Sequence, residues 1–166
     1  IQNMKYPKTV ESSATIRFQD CDPFNHLNNA SYINYFMNHR EDMLLKHYDI
    51  DIYKMAKISG KSWVVGSNQI AYLRPAFLME EVVIQSELIK YDASSLLAEM
   101  RMYTKDKTQL KAIFWVGFVH FDLLTQKKHI HSQEFMELFS NILLPKEETL
   151  FEERVHSIKS KMYHSV

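Results

Sequence analysis

The apolar pattern of this chain changes period near residue 29, and that change constrains the fold more than any other feature. From about Asn29, the residues Ile33, Phe36, Met37, Arg40, Leu44 and Tyr48 fall at helical spacing. Ala30, Met43 and Leu45 widen the apolar surface. A helix of about 20 residues with so broad an apolar face belongs at the centre of a fold rather than on its rim. A shorter helix is predicted over Ile52–Ile58, stopped by Gly60. Four strand patterns then follow in series: Trp63–Leu73, Val82–Tyr91, Leu96–Tyr103 and Gln109–Asp122. The last is apolar on both faces, with Leu110, Ala112, Phe114 and Val116 against Ile113, Trp115, Val119 and Phe121. That pattern places it inside the sheet, covered on both sides. A run of antiparallel strands with helices segregated to one side is an α+β architecture. One long helix wrapped by a curved antiparallel sheet satisfies both periods.

The flanks are weaker in signal. Ala14, Ile16 and Phe18 alternate with Thr15 and Arg17, which predicts a strand ended by Pro23. Residues 1–12 read as a flexible lead-in. Ser132 is a candidate N-cap for a helix over Gln133–Asn141. Thr149 and Glu152 have capping-box spacing, ahead of an apolar stripe of Phe151, Val155, Ile158 and Met162. The resulting organisation is a lead-in at 1–12, one domain at 13–142 and a helical extension at 143–166.

Composition excludes several classes. Twenty basic and 20 acidic residues leave no net charge, so the footprint of a nucleic-acid binder is missing. Apolar runs such as Ala112–Val119 are too short for a membrane span. A single cysteine, Cys21, rules out a disulfide framework and a multi-cysteine zinc site, and fits a cytoplasmic protein. No Gly-x-Ser-x-Gly elbow is present, and Met55 stands where a phosphate loop ending at Ser59-Gly60-Lys61-Ser62 would need glycine. His120, His129 and His131 lack a matching metal-ligand spacing and read as surface histidines. No metal or prosthetic group is expected.

The chemistry concentrates in Phe18-Gln19-Asp20-Cys21-Asp22-Pro23-Phe24-Asn25-His26-Leu27-Asn28-Asn29-Ala30-Ser31-Tyr32, between a strand and the long helix. Unsatisfied N–H groups at a helix start can face a negatively charged oxygen. A carboxylate just ahead of them suits acyl chemistry. Cys21 is a poor nucleophile there, because the flanking Asp20 and Asp22 disfavour its thiolate. Asp22 before Pro23 also fits an ordinary turn aspartate, and Asp20 a strand-end charge.

Asp20-Cys21-Asp22-Pro23 followed by Asn28-Asn29-Ala30-Ser31-Tyr32 resembles the hotdog-fold acyl-CoA thioesterases of the 4-hydroxybenzoyl-CoA thioesterase-like group. Tyr72-Leu73-Arg74-Pro75-Ala76 is similar to that family's Tyr-x-x-Pro-Ala strand end. The resemblance spans roughly Ser13–Glu137 and implies a five-stranded hotdog sheet around the long helix. It implies that Asp22 is the catalytic carboxylate and that the Asn29 amide contributes the oxyanion hole. It also implies a homodimer or homotetramer with its site at the subunit interface. His26, Asn28 and Tyr32 are the candidate substrate contacts, with a turn, an N-cap and core packing as their respective structural alternatives. The family's usual glycine before the His26 position is Asn25 here, a residue that tolerates positive φ.

Such a sparse site suffices for a thioester. A cysteine-like thiol has a pKa near ~8.5 and leaves without much protonation. Asp22 would attack directly or activate water, and one oxyanion donor is typically worth ~3–4 kcal/mol. The expected substrate is an acyl-CoA or acyl carrier protein thioester, with Arg74, Lys90, Lys105 and Lys111 as candidate phosphate contacts. Two other readings share this ligand class: a hydratase or dehydratase pairing Asp22 with His26, and a non-catalytic acyl-thioester binder.

Overall fold

The computed structural model describes residues 6–164. Residues 1–5 of the expected lead-in and 165–166 of the extension lie outside the described residues. The element order is β1 (Val10–Thr15), α1 (Tyr32–Tyr48), α2 (Ile52–Ser59), β2 (Lys61–Tyr72), β3 (Glu81–Tyr91), β4 (Ser95–Thr104), β5 (Leu110–Asp122), β6 (Lys127–Lys128), α3 (Gln133–Ile142) and α4 (Phe151–Tyr163). The main sheet runs β1-β3-β4-β5-β2, antiparallel throughout, with α1 packed on one face. This is the α+β hotdog arrangement. The two-residue β6 adds a short sixth strand beside β5. No helix among the described residues is long and apolar enough to cross a membrane.

The lead-in is shorter than expected, because Val10–Ser12 already belong to β1. That strand ends at Thr15, and Phe18–Asp20 form a 3-10 turn instead of continuing it. Ile16 is nevertheless fully buried, exchanging backbone bonds with Glu80 and Met79. The buried stripe of α1 is Tyr32, Phe36, His39 and Met43. It is rotated from the predicted face, on which Arg40 and Leu44 are half-buried and Leu45 is exposed. Phe36 stacks on Phe114 of β5 at 5.3 Å, tying helix to sheet at the core's centre. β5 lies between β4 and β2, as its two apolar faces required.

The opposite sheet face is covered by α4, whose Phe151 meets the Trp115 ring edge-on at 5.5 Å. The capping box does not form; Leu150 takes the N-cap position and no side chain caps the helix. Ser132 does cap α3, accepting from the Phe135 amide.

His39 ties α1 to β1 and β3, with Ser12 on one ring nitrogen and Ser86 on the other. Burial, assisted by the charge of His47, holds its pKa down at about 4, so the imidazole is neutral. Unfolded, it titrates near ~6.5. As pH falls from the unfolded to the folded value, the unfolded chain gains a proton that the folded one resists. Stability present above that window is therefore lost within it, by up to about 3 kcal/mol. Denaturant titrations at stepped pH should show this slope, flattened in His39→Gln; identical slopes in both proteins would contradict it.

Candidate active site

The polar strip folds back on itself. Cys21 pairs with Leu27 in an isolated antiparallel bridge, and the Asp22 amide donates to the His26 carbonyl at 2.8 Å. The turn between them needs a left-handed residue, and Asn25 supplies it with φ of 62°. Asparagine thus does here what glycine does in the related motif. Within the turn, Asp22 Oδ1 accepts from the Phe24 amide at 2.8 Å and the His26 amide at 3.0 Å. The turn reading of Asp22 is accordingly correct for this oxygen. Oδ2 makes neither bond, so the same carboxylate is anchored through one oxygen and presents the other.

Asp20 is a support. Its Oδ2 accepts from the Tyr35 hydroxyl at 2.7 Å, and its carbonyl accepts from the Asn28 amide at 2.9 Å. Burial first, with Asp20 adding to it, pushes the Tyr35 phenol up to about 12 and keeps it a donor. Asp20 closes a 3-10 turn over Phe18–Asp20 that stands where a strand was expected, so it is not a strand-end charge. Cys21 is half-buried, its thiol pushed up by burial and then by Asp22 and Asp20, as the sequence suggested.

Asn28 is the N-cap of a 3-10 turn over Asn29–Ser31 that leads into α1. Its side chain is exposed and makes no capping bond. The first bond of that turn runs from the Ser31 amide to the Asn28 carbonyl. The Asn29 and Ala30 amides precede it and have no acceptor within the helix. They lie at the positive end of the α1 dipole.

The second motif frames this arrangement. The Tyr72 hydroxyl donates to the Asn29 carbonyl at 2.8 Å, holding the helix start against the end of β2. The Leu27 amide donates to the Ala76 carbonyl, the Leu78 amide to that of Asn25, and His26 bridges Phe77. The His26 ring meets the Phe77 ring edge-on at 5.1 Å. Tyr32 is 2% exposed, and its oxygen accepts from the Ala76 amide. It is buried as a strut between the start of α1 and the 75–80 loop, in line with its core-packing alternative.

Sequence reasoning missed the support beneath Ala76. Lys111 is buried, with Nζ 2.9 Å from both the Pro75 carbonyl and Glu80. It holds the 75–80 loop and is not available for phosphate. A lysine in a strand apolar on both faces was the signal. Lys105 pairs with Glu81 on the surface, while Arg74 and Lys90 are exposed.

His120 and His131 are buried rather than superficial, stacked on each other at 5.1 Å beside Trp63. His131 Nε2 accepts from the Trp63 indole N–H at 3.0 Å, so its Nδ1 carries the proton given to the Asp92 carbonyl. Burial lowers both pKa values. No group of three or more potential metal ligands is assembled among the described residues.

Apart from this loop, an apolar cavity of about 100 Å³ lies under the C-terminal half of α1, lined by Met43, Leu44, Trp63, Leu96, Met100 and Phe118 among others. The Arg40 guanidinium lies 4.1 Å over the Phe118 ring.

Residues 16–141 match the thioesterase-like superfamily. The long-chain acyl-CoA thioesterase FadM of Escherichia coli (strain K12) is 27% identical over 118 residues, covering 71% of this chain and 87% of FadM. The crystal structure of YbaW, a probable thioesterase from Escherichia coli, superposes with a TM-score of 0.68 at 25% identity, covering 81% of this chain and 98% of YbaW. A Staphylococcus aureus protein solved in complex with CoA superposes with a TM-score of 0.75 at 14% identity, covering 90% and 93% of the two chains, which shows a shared fold.

Proposed function

The chain belongs to the thioesterase-like superfamily, and from that premise we propose that it hydrolyses acyl-CoA thioesters with Asp22 as the catalytic carboxylate. The observation that carries this reading is the folded-back loop. It anchors Asp22 through one oxygen just ahead of a helix start with open amides. The carbonyl oxygen of the thioester would face the Asn29 amide, and Asp22 Oδ2 would attack the carbonyl carbon or activate water. If Asp22 attacks, the carbon–sulfur bond breaks as a mixed anhydride forms, and water then cleaves the anhydride. The hydratase alternative gains no support, because the His26 ring packs on Phe77 instead of pairing with Asp22. The test is thiol release from a panel of acyl-CoA chain lengths, run beside hydration of an enoyl-CoA. Release of free thiol supports hydrolysis; hydration without thiol release overturns it.

The site also argues for a homodimer. β2 bonds to β5 along one side, and its stretch Val64–Gln69 is exposed at the sheet's outer edge. An uncovered strand edge with two exposed valines invites pairing with its own copy. Antiparallel β2–β2 pairing brings the Tyr72 end of one strand, with its Asn29 contact, beside the Trp63 end of the other. The partner's apolar cavity would then lie next to the Asp22 loop and receive the acyl chain. Light scattering should give twice the protomer mass, and Val64→Lys with Val65→Lys should shift it to a monomer with reduced turnover. A wild-type monomer that retains full activity would contradict the pairing.

A further inference from the structure

The sheet face opposite α1 carries a second cleft, of about 620 Å³, between β4 and α4. Its size falls within the ordinary range for small-ligand sites. Its lining holds Arg74, Arg101, Lys146, Arg154 and Lys161, and no acidic residue. That is a quarter of the chain's 20 cationic residues in one cleft of a molecule with no net charge. Three carboxylates sit behind these cations: Glu87 and Glu99 on the sheet, and Glu148 ahead of α4. These carboxylates pair with Arg101, Lys146 and Arg154, and Glu148 also acts on Lys161, while the lining itself presents cations and no carboxylate. The buried carboxylates fix Arg101, Lys146 and Arg154 as a rigid floor, while Arg74 and Lys161 are exposed at the rim. A concave site lined by cations, with low-dielectric walls, focuses its field on an anion.

Position selects the kind of anion. Arg74 is two residues beyond Tyr72, whose hydroxyl holds the Asn29 carbonyl at the helix start. The cleft therefore opens from the same end of β2 as the Asp22 loop, on the other side of the sheet. Its α4 wall, with Arg154, Ile158, Lys161 and Met162 on one helical face, lies beyond the 16–141 superfamily match. We propose that this cleft binds the phosphorylated nucleotide end of coenzyme A, so that the C-terminal helix makes the enzyme selective for a coenzyme A carrier. Arginine forks suit phosphate oxygens, and the apolar Ile158 and Met162 offer a surface for the base. This assignment rests on the acyl-CoA thioesterase reading for its substrate. The binding itself needs no turnover, so the two can fail separately.

The experiment is calorimetric titration of the full chain with coenzyme A, adenosine 3′,5′-bisphosphate and adenosine, at low and high salt. The bisphosphate should bind and weaken with salt. It should bind at least tenfold more weakly to the Arg74→Glu/Lys161→Glu double variant, and equally well to a Lys57→Glu control on α2. In kinetics, the ratio of KM for acyl-pantetheine to KM for the matching acyl-CoA should collapse at least tenfold in the double variant. The proposal is overturned by adenosine binding as tightly as its bisphosphate, by no binding to the wild type, or by an unchanged KM ratio.

Discussion

Replacing Arg101 by Met should destabilise the protein by about 3–5 kcal/mol, the usual cost of removing one partner from a buried ion pair. Arg101 Nη1 lies 2.7 Å from Glu87 and 3.5 Å from Glu99, and the three side chains are 9%, 5% and 0% exposed. Its other nitrogens bond Gln85, Glu87 and the Tyr103 hydroxyl. Arg101 bonds both oxygens of Glu87, whereas Glu99 Oε1 is held by Arg154 at 2.9 Å. Glu99 Oε2 has no hydrogen-bond partner among the described residues, and its next cation, Lys146, is 3.9 Å away. Without Arg101, Glu87 would keep Lys146 and Thr9 but lose its bidentate partner, and the buried Glu99 Oε2 would keep only Lys146 at 3.9 Å. The comparison is Lys105→Met, which breaks the exposed Lys105–Glu81 pair and should cost less than about 1 kcal/mol. Urea unfolding of both variants separates the cases; equal small effects would mean that the network contributes nothing at this site. The same network sets an acid limit. Burial alone would raise Glu87, but hydrogen bonds from Arg101, Lys146 and Thr9 outweigh it and hold its pKa at about 2. The resulting stability is present above the unfolded value near ~4.3 and is lost as pH falls toward 2.

The long helix and the four later strands were legible because their periods are long and unbroken. β1 was not, because its sequence Val-Glu-Ser-Ser-Ala-Thr is that of a polar edge strand, with Val10 as its one fully buried residue. The stronger alternation of Ile16 and Phe18 misled: Ile16 is buried by a loop, and Phe18 is 77% exposed. The face of α1 was misjudged for a related reason. His39 counts as polar in the sequence, yet two serines satisfy it in the core. His120 and His131 escaped in the same way, because their burial depends on stacking with Trp63 from a distant strand. At the site, the departure at Asn25 was the informative residue, and its positive φ closes the Asp22 turn. What the sequence did not reveal is that Tyr32, Tyr72 and Lys111 hold that turn from below. Each acts through a backbone carbonyl or amide, which leaves no residue pattern to read.

The second large effect is at Asp22. Asparagine keeps the side-chain oxygen that accepts from the Phe24 and His26 amides, so Asp22→Asn should preserve the loop and the melting temperature. It removes the negative charge, and with it the proposed nucleophile or base. A positioned general base contributes roughly 10²–10⁴-fold, so kcat should fall by at least about 100-fold. Asp22→Ala would lose the turn's hydrogen bonds as well, mixing a stability loss of about 1 kcal/mol into the result. The asparagine variant is therefore the clean probe. The deciding measurement is thiol release from saturating acyl-CoA by folded Asp22→Asn, with its melting curve matched to the wild type. Loss of at least 100-fold in turnover with an unchanged melt is the expected result; turnover near that of the wild type would contradict the assignment of thioester hydrolysis to Asp22.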